Sequence, residues 1–209
     1  MTAQTLEQWN EQYGTDTFAE STRPKGFEFD IGVAYPVSVK AAKICTSQRG
    51  SRQVELTLNI LKGEDVAGQT KVWLELPKQP VVDPTLAPDK MRTRVLRRRD
   101  DLLAVYGSAD PKRFAVYKER IKNDHGRYDY VGHDGERLTS DAFKAREREV
   151  NQNMMDYGDE LHGYEDGHTL EELTDTFFYL SKAERKDKPE YPWTNVYTLR
   201  PEKLPLFGE

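Results

Sequence analysis

The sequence predicts a mainly β chain of the α+β class, five antiparallel strands interrupted by a helical insertion. Three observations predict it. Hydrophobic residues alternate with polar ones over three successive stretches between Val33 and Leu76. The period lengthens to a helical one after Met91, and two aromatic stretches with strand composition close the chain.

Each element follows in turn. "AYPVSVKAA" sets Tyr35, Val37, Val39 and Ala41 on one side, against Pro36, Ser38 and Lys40. "TSQRGS" is a turn, in which Gly50 can take a positive φ. "RQVELTLNIL" places Val54, Leu56, Leu58 and Ile60 inward and Gln53, Glu55, Thr57 and Asn59 outward. "KGEDVAGQT" is expected to be a second loop. "KVWLELP" then turns Val72, Leu74 and Leu76 inward, with Lys71, Trp73 and Glu75 outward. Such a meander buries one face and solvates the other.

From Met91 to Tyr106, Val95, Leu102, Leu103 and Tyr106 share a helical stripe, and Gly107 can stop that helix. Asp110 and Pro111 have the chemistry of an N-cap and first position. The helix they start is expected to bury Phe114, Tyr117 and Ile121. "NDHGRYDYVGHDGERLTSD" reads as loop or short hairpin. A polar helix is expected from Ser140 to about Asp156, followed by an irregular acidic stretch, "DYGDELHGYEDGH". "TDTFFYLSKA" and "YPWTNVYTLRPEKL" supply the last two strands. Five antiparallel strands with helical insertions fit a small barrel of the oligonucleotide-binding (OB) type. An open α+β sheet has the same pattern. The domain is expected over 27–201, with its insertion at about 85–170, behind a polar extension at 1–26 and before a tail at 202–209. That tail, "LPLFGE", reads as a frayed end, weakly similar to the acidic-aromatic tails of some single-strand binders.

Charge narrows the function classes. The 209 residues carry a formal charge of -5, yet five arginines fall within the eight residues Arg92 to Arg99. Asp129 to Asp175 holds 14 acids against 4 Lys or Arg, which leaves the remainder at about +5. One cysteine, Cys45, excludes a disulfide framework and a cysteine-rich zinc site, and it is expected to be a core thiol. No apolar run is long enough for a membrane span, and the first residues lack a signal peptide's apolar stretch, so a reducing cytoplasm is expected. There is no G-x-S-x-G elbow, Cys–His signature, G-x-G-x-x-G or phosphate-binding loop. No enzyme, cofactor or metal is implied.

"GVAYPVSVKAAKICTSQRGSRQVELTLNILKGEDVAGQTKVWLEL" and "PWTNVYTLRP" resemble the opening and closing strands of small phage-encoded proteins. Their family is named only for a domain of unknown function. The resemblance covers roughly residues 27–78 and 176–201. It implies an OB-like fold and a single-stranded-DNA-binding role among the replication and recombination proteins of a bacterial host. The long section from Pro80 to Thr169 departs from the short helical segment of that family.

Within that frame the candidate contacts are basic and aromatic. Arg92, Arg94, Arg97 and Arg98 can grip phosphates, or pair with the acids beside them. Trp73, beside Lys71, and Trp193 and Tyr197, near Arg200, have the interleaved aromatic and basic character that a single strand needs. They can equally pack beneath the inserted helices. Arg49 and Arg52 stand at the lip of the first turn. The acidic segment 150–175 is expected to be a solvated loop, a partner-docking strip or an autoinhibitory one. It opens two further readings: an interaction module that imitates nucleic acid, and a metal-dependent nuclease. Oligomeric state and protein partners stay open.

Overall fold

The computed structural model describes residues 27–76, 88–186 and 192–208. The N-terminal extension lies outside the described residues, as do the side chains of residues 88–98.

The meander forms as its alternation predicts. Strands β1 (Ala34–Thr46), β2 (Arg52–Lys62) and β3 (Asp65–Glu75) pair antiparallel, with Val37 opposite Ile60 and Val54 opposite Leu74. Val54, Leu56, Leu58 and Ile60 are fully buried, and Val72, Leu74 and Leu76 nearly so. One expectation fails within β1. The register shifts between Val39 and Ala41, so the extra residue hands the inward positions to Ala42 and Ile44 and leaves Ala41 exposed.

The expected loop "KGEDVAGQT" shrinks to a two-residue turn, Gly63-Glu64, with Gly63 at φ 62°. Its glycine-rich, polar composition belongs instead to the start of β3. There Gly68 lies beside a second register shift, and its missing Cβ makes room for Phe27. A Cβ at Gly68 would stand 2.6 Å from the Phe27 ring. Gly68→Ala is therefore expected to expel that ring, which meets Tyr35 edge-on at 5.5 Å. A destabilisation of about 1–3 kcal/mol in urea unfolding is the expected result, the cost of overpacking.

The same aromatic group fixes the tail. Phe207 stacks on Tyr35 at 4.8 Å, its N–H donates to the Ala34 carbonyl, and the Pro205 carbonyl accepts from the Ala34 N–H. The end of the chain to Gly208 is stitched to β1 rather than frayed.

The insertion departs most from expectation. Helix α1 spans Pro88–Ala109. Asp110 caps the next helix, its carboxylate accepting from the Arg113 N–H at 3.2 Å, but this α2 is only Pro111–Phe114. Phe114 is buried as expected. Tyr117 and Ile121 are not on a helix: Glu119–Lys122 (β4) pairs with Tyr128–Val131 (β5), and Ile121 is exposed. "VYKERIK" suits either period, and pairing with "YDYV" selects the strand.

Helix α3 runs over Ser140–Gly163 from its N-cap Thr139, past the expected end near Asp156. Val150, Met154, Gly158 and Leu161 recur at helical spacing and are buried. The acidic stretch after it is docked. Gly167 N–H donates to the Ile44 carbonyl, Leu170 N–H to Ala42, and Asp175 N–H to Val39. These bonds occupy the edge of β1 that its other partner leaves free beyond Ser38.

That partner is β6 (Phe177–Ala183), which pairs in turn with β7 (Trp193–Tyr197). The sheet order is β3-β2-β1-β6-β7, antiparallel throughout. The expected barrel does not close: β3 and β7 are edges and do not pair. Helix α1 packs against β3 at one edge and against β6 and β7 at the other, with no comparable packing on β2 among the described residues. The sheet thus arches over α1, which occupies the gap that closure would seal. The arch encloses the core, with Leu102, Val105 and Tyr106 of α1 buried inside it. Among the described residues no helix is long and apolar enough to cross a membrane.

Candidate nucleic-acid interface

The strand register assigns the outward face residue by residue. Glu55 lies opposite Trp73 and Thr57 opposite Lys71, while Val54 and Leu56 point to the core. Trp73 is 50% exposed. Its indole N–H donates to Glu55 Oε2 at 3.1 Å, and Lys71 Nζ donates to Oε1 at 2.8 Å. Lys43, one strand further in, stands 3.5 Å from the same oxygen. A carboxylate between two ammonium groups thus sets the indole's orientation. The sequence predicted the position of Lys71 and Trp73 but not their anchor, because the register that brings Glu55 beside Trp73 is not written in either strand alone.

The Lys71 hydrogen bond, helped by that of Trp73, holds the Glu55 carboxyl below its usual value of 4.5, against an opposing push from partial burial. A depressed folded-state pKa stabilises the fold above pH 4.5, and this contribution is lost as pH falls through the lower folded value. Glu55→Gln is therefore expected to flatten the dependence of melting temperature on pH below about 4.5. A thermal scan series in acid checks it.

At the opposite edge the outward positions are also aromatic. Tyr179 pairs with Pro36 and with Tyr197, which places Phe177, Tyr179, Trp193 and Tyr197 on the same side as Asn59, Glu55 and Trp73. Phe177 is 44% exposed and meets Tyr179 edge-on at 5.2 Å. Sequence reasoning missed both, although the alternation of "TFFYLSKA" already separates them from the buried Phe178 and Leu180. Trp193 is exposed, with the Arg185 guanidinium 4.3 Å over its ring. The Tyr197 hydroxyl is 3.3 Å from that of Ser181. Trp73 and Trp193 share a face but sit on opposite edge strands, four strand spacings apart. They also lie near opposite ends of the sheet, since the register aligns Trp73 with Lys43 of β1 and Trp193 with the residues that precede Ala34.

The remaining predicted contacts scatter. Arg49 is exposed at the β1–β2 turn, where Gly50 takes φ 75°. Arg52 is engaged internally: its guanidinium bonds Asp166, the Tyr164 carbonyl and the Thr46 hydroxyl, clasping the acidic segment to the turn. Arg200 follows β7, beyond the sheet. Arg92, Arg94, Arg97 and Arg98 belong to α1, and their side chains lie outside the described residues. The next in the run, Arg99, donates to Asp100 at 2.8 Å.

The acidic segment is largely spoken for. Asp166 holds Arg52, Glu160 accepts from the Tyr164 hydroxyl, Glu172 from the Tyr157 hydroxyl, and His168 stacks on Tyr164 at 4.1 Å. Among the described residues no three His, Cys, Asp or Glu side chains gather as a metal site. Cys45 is on the outward parity, opposite Gln53, and not in the core; the bulge in β1 puts it there. Partial burial pushes its thiol pKa up, with Glu55 adding to the effect.

No protein-family model matches the chain, and no curated protein is similar to it.

Proposed function

We propose that the protein binds single-stranded nucleic acid without sequence preference on the outward face of the sheet. The carrying observation is Trp73, half exposed on an outward strand position and oriented by Glu55, whose carboxylate also holds Lys71 and Lys43. A base stacks on the indole while the lysines follow the backbone, and stacking tolerates every base because each has a π-face. Phe177, Tyr179 and Trp193 offer further platforms on β6 and β7.

The topology supports an OB-like reading of this face. An OB barrel opened along the seam between its third and last strands has this strand order, with the first strand shared between both halves. The insertion follows the third strand, and α1 lies in the seam. Single-stranded DNA as the ligand, and replication or recombination as the setting, follow from the phage resemblance. The role is binding and protection, without catalysis.

The test is a titration of tryptophan fluorescence with an oligothymidine strand at two salt concentrations. Saturable quenching is expected, weakening at higher salt by about 0.7 logarithmic units per phosphate contact and per logarithmic unit of salt. Fluorescence unchanged at both concentrations rules the reading out. Glu55→Gln removes the one acid between Lys43 and Lys71. It is expected to tighten binding at low salt and to change little at high salt, where surface charge is screened.

A further inference from the structure

We propose that a second site, a cleft between α1, the β4–β5 hairpin and the segment following β7, binds a nucleoside phosphate. The cleft measures about 940 Å³, a size suited to a small-molecule ligand. Its apolar side is formed by Leu103, Phe114 and Val196, and its rim carries Lys118, Arg120, Arg200 and Lys203. The sequence hid this site because the cations are spread over two stretches eighty residues apart and form no run.

Charge on the rim is positive where a ligand meets it. Two acids line the cleft, and both are engaged. Asp100 accepts from Arg99 at 2.8 Å. Glu202 is 3.2 Å from Arg120 and accepts from the Tyr128 hydroxyl. Lys118 and Lys203 are exposed and carry no ion pair among the described residues. An anionic group of the ligand therefore meets Lys118 and Lys203 without displacing an ion-pair partner of either.

The walls are already in place. Tyr117, Tyr130 and Phe143 pack in series at 4.8 Å, fixing the hairpin against α3. Lys118 N–H donates to the Val131 carbonyl, and the Thr198 hydroxyl donates to the Ala104 carbonyl, tying the exit of β7 to α1. Phe177 and Tyr197 bring flat rings to the lining. Inorganic phosphate would use only the rim and leave the apolar side wet. A planar base carrying phosphate satisfies both, by stacking and by ion pairing.

The ligand has two sources, a free nucleotide or the end of a strand lying on the sheet, since Phe177 and Tyr197 belong to both surfaces. The proposal does not rest on the sheet-face reading, because its cations are different residues from Lys43 and Lys71.

Calorimetric titration of the full chain with thymidine monophosphate tests it. Saturable binding is expected, at least tenfold tighter than that of inorganic phosphate. The double variant Lys118→Glu/Lys203→Glu is expected to weaken it at least tenfold while circular dichroism stays unchanged, and Trp73→Ala is expected to leave it alone. Absence of binding at millimolar nucleotide, equal binding of phosphate, or indifference to the charge reversal in the folded variant each overturns the site. Displacement of the nucleotide by oligothymidine assigns the site to strand ends, and failure to displace it assigns it to free nucleotide. If oligothymidine binding still depends on Trp73 when the nucleotide does not bind, only the cleft proposal falls.

Discussion

Leu173→Ala is expected to lower folding stability by about 2–5 kcal/mol, although the residue lies in a stretch with the composition of a solvated loop. Leu173 closes a single 3-10 turn, Glu171–Leu173, and is fully buried in the main core. Truncating it removes three carbon atoms from a packed site. The neighbouring backbone cannot collapse into the space, because it is bonded to β1 through Leu170, Asp175 and Thr176. The cost then combines lost transfer energy with a cavity. Glu171, exposed in the same turn, supplies the control: its alanine variant is expected to change stability by no more than about 0.5 kcal/mol. Urea unfolding of both variants gives the comparison. Equal, small effects would return the segment to the solvated loop its composition suggests.

The same packing changes what deleting the segment would mean. Residues 150–175 include Val150, Met154, Leu161, Leu170 and Leu173, all buried. Removing them strips the core of the sheet as well as eight acids, so a gain in DNA binding is not the expected consequence. Point substitutions are the informative probes. Asp166→Asn, which loosens the clasp on Arg52, leaves the buried leucines in place.

How much was legible follows from the range of the signal. Alternation along one strand is local, so the inward sets of β2 and β3 could be read directly from "VELTLNI" and "KVWLEL". The bulge at Lys40, the short Gly63-Glu64 turn and the choice of strand for "ERIK" depend on a partner elsewhere in the chain, and each was misread or left open. Acidic residues concealed the helix from Asp156 to Gly163 for a related reason. Within that stretch Tyr157, Gly158 and Leu161 turn to the core, too few apolar positions to mark a period against so many charges. For the interface, the aromatic and basic residue types were visible, but their pairing was not. Arg52 was a candidate for phosphate until Asp166, 114 residues away, took its guanidinium. Lys71 and Trp73 kept their exposure and gained an anchor.

Trp73→Ala is expected to cost roughly 1–3 kcal/mol of affinity for single-stranded DNA, about five- to 150-fold, while leaving the melting temperature nearly intact. The two effects separate because of where the indole sits. Val72 and Leu74, its neighbours in sequence, are buried in the core, and Trp73 is half exposed on the other side of the strand. Removing it opens no cavity in the core. What the folded state loses is one solvent-accessible hydrogen bond to Glu55 and partial contact over the sheet, both small terms. A bound strand loses an entire stacking platform. Trp73→Phe separates the parts of this effect: a ring remains for stacking, while the N–H bond to Glu55 disappears. Most of the affinity is expected to return, with a modest deficit from the freer orientation of the ring. Melting temperature and oligothymidine affinity measured on both variants decide the case. A loss of 3–5 kcal/mol in stability with unchanged binding is the signature of a buried supporting aromatic, and it would remove Trp73 from the interface.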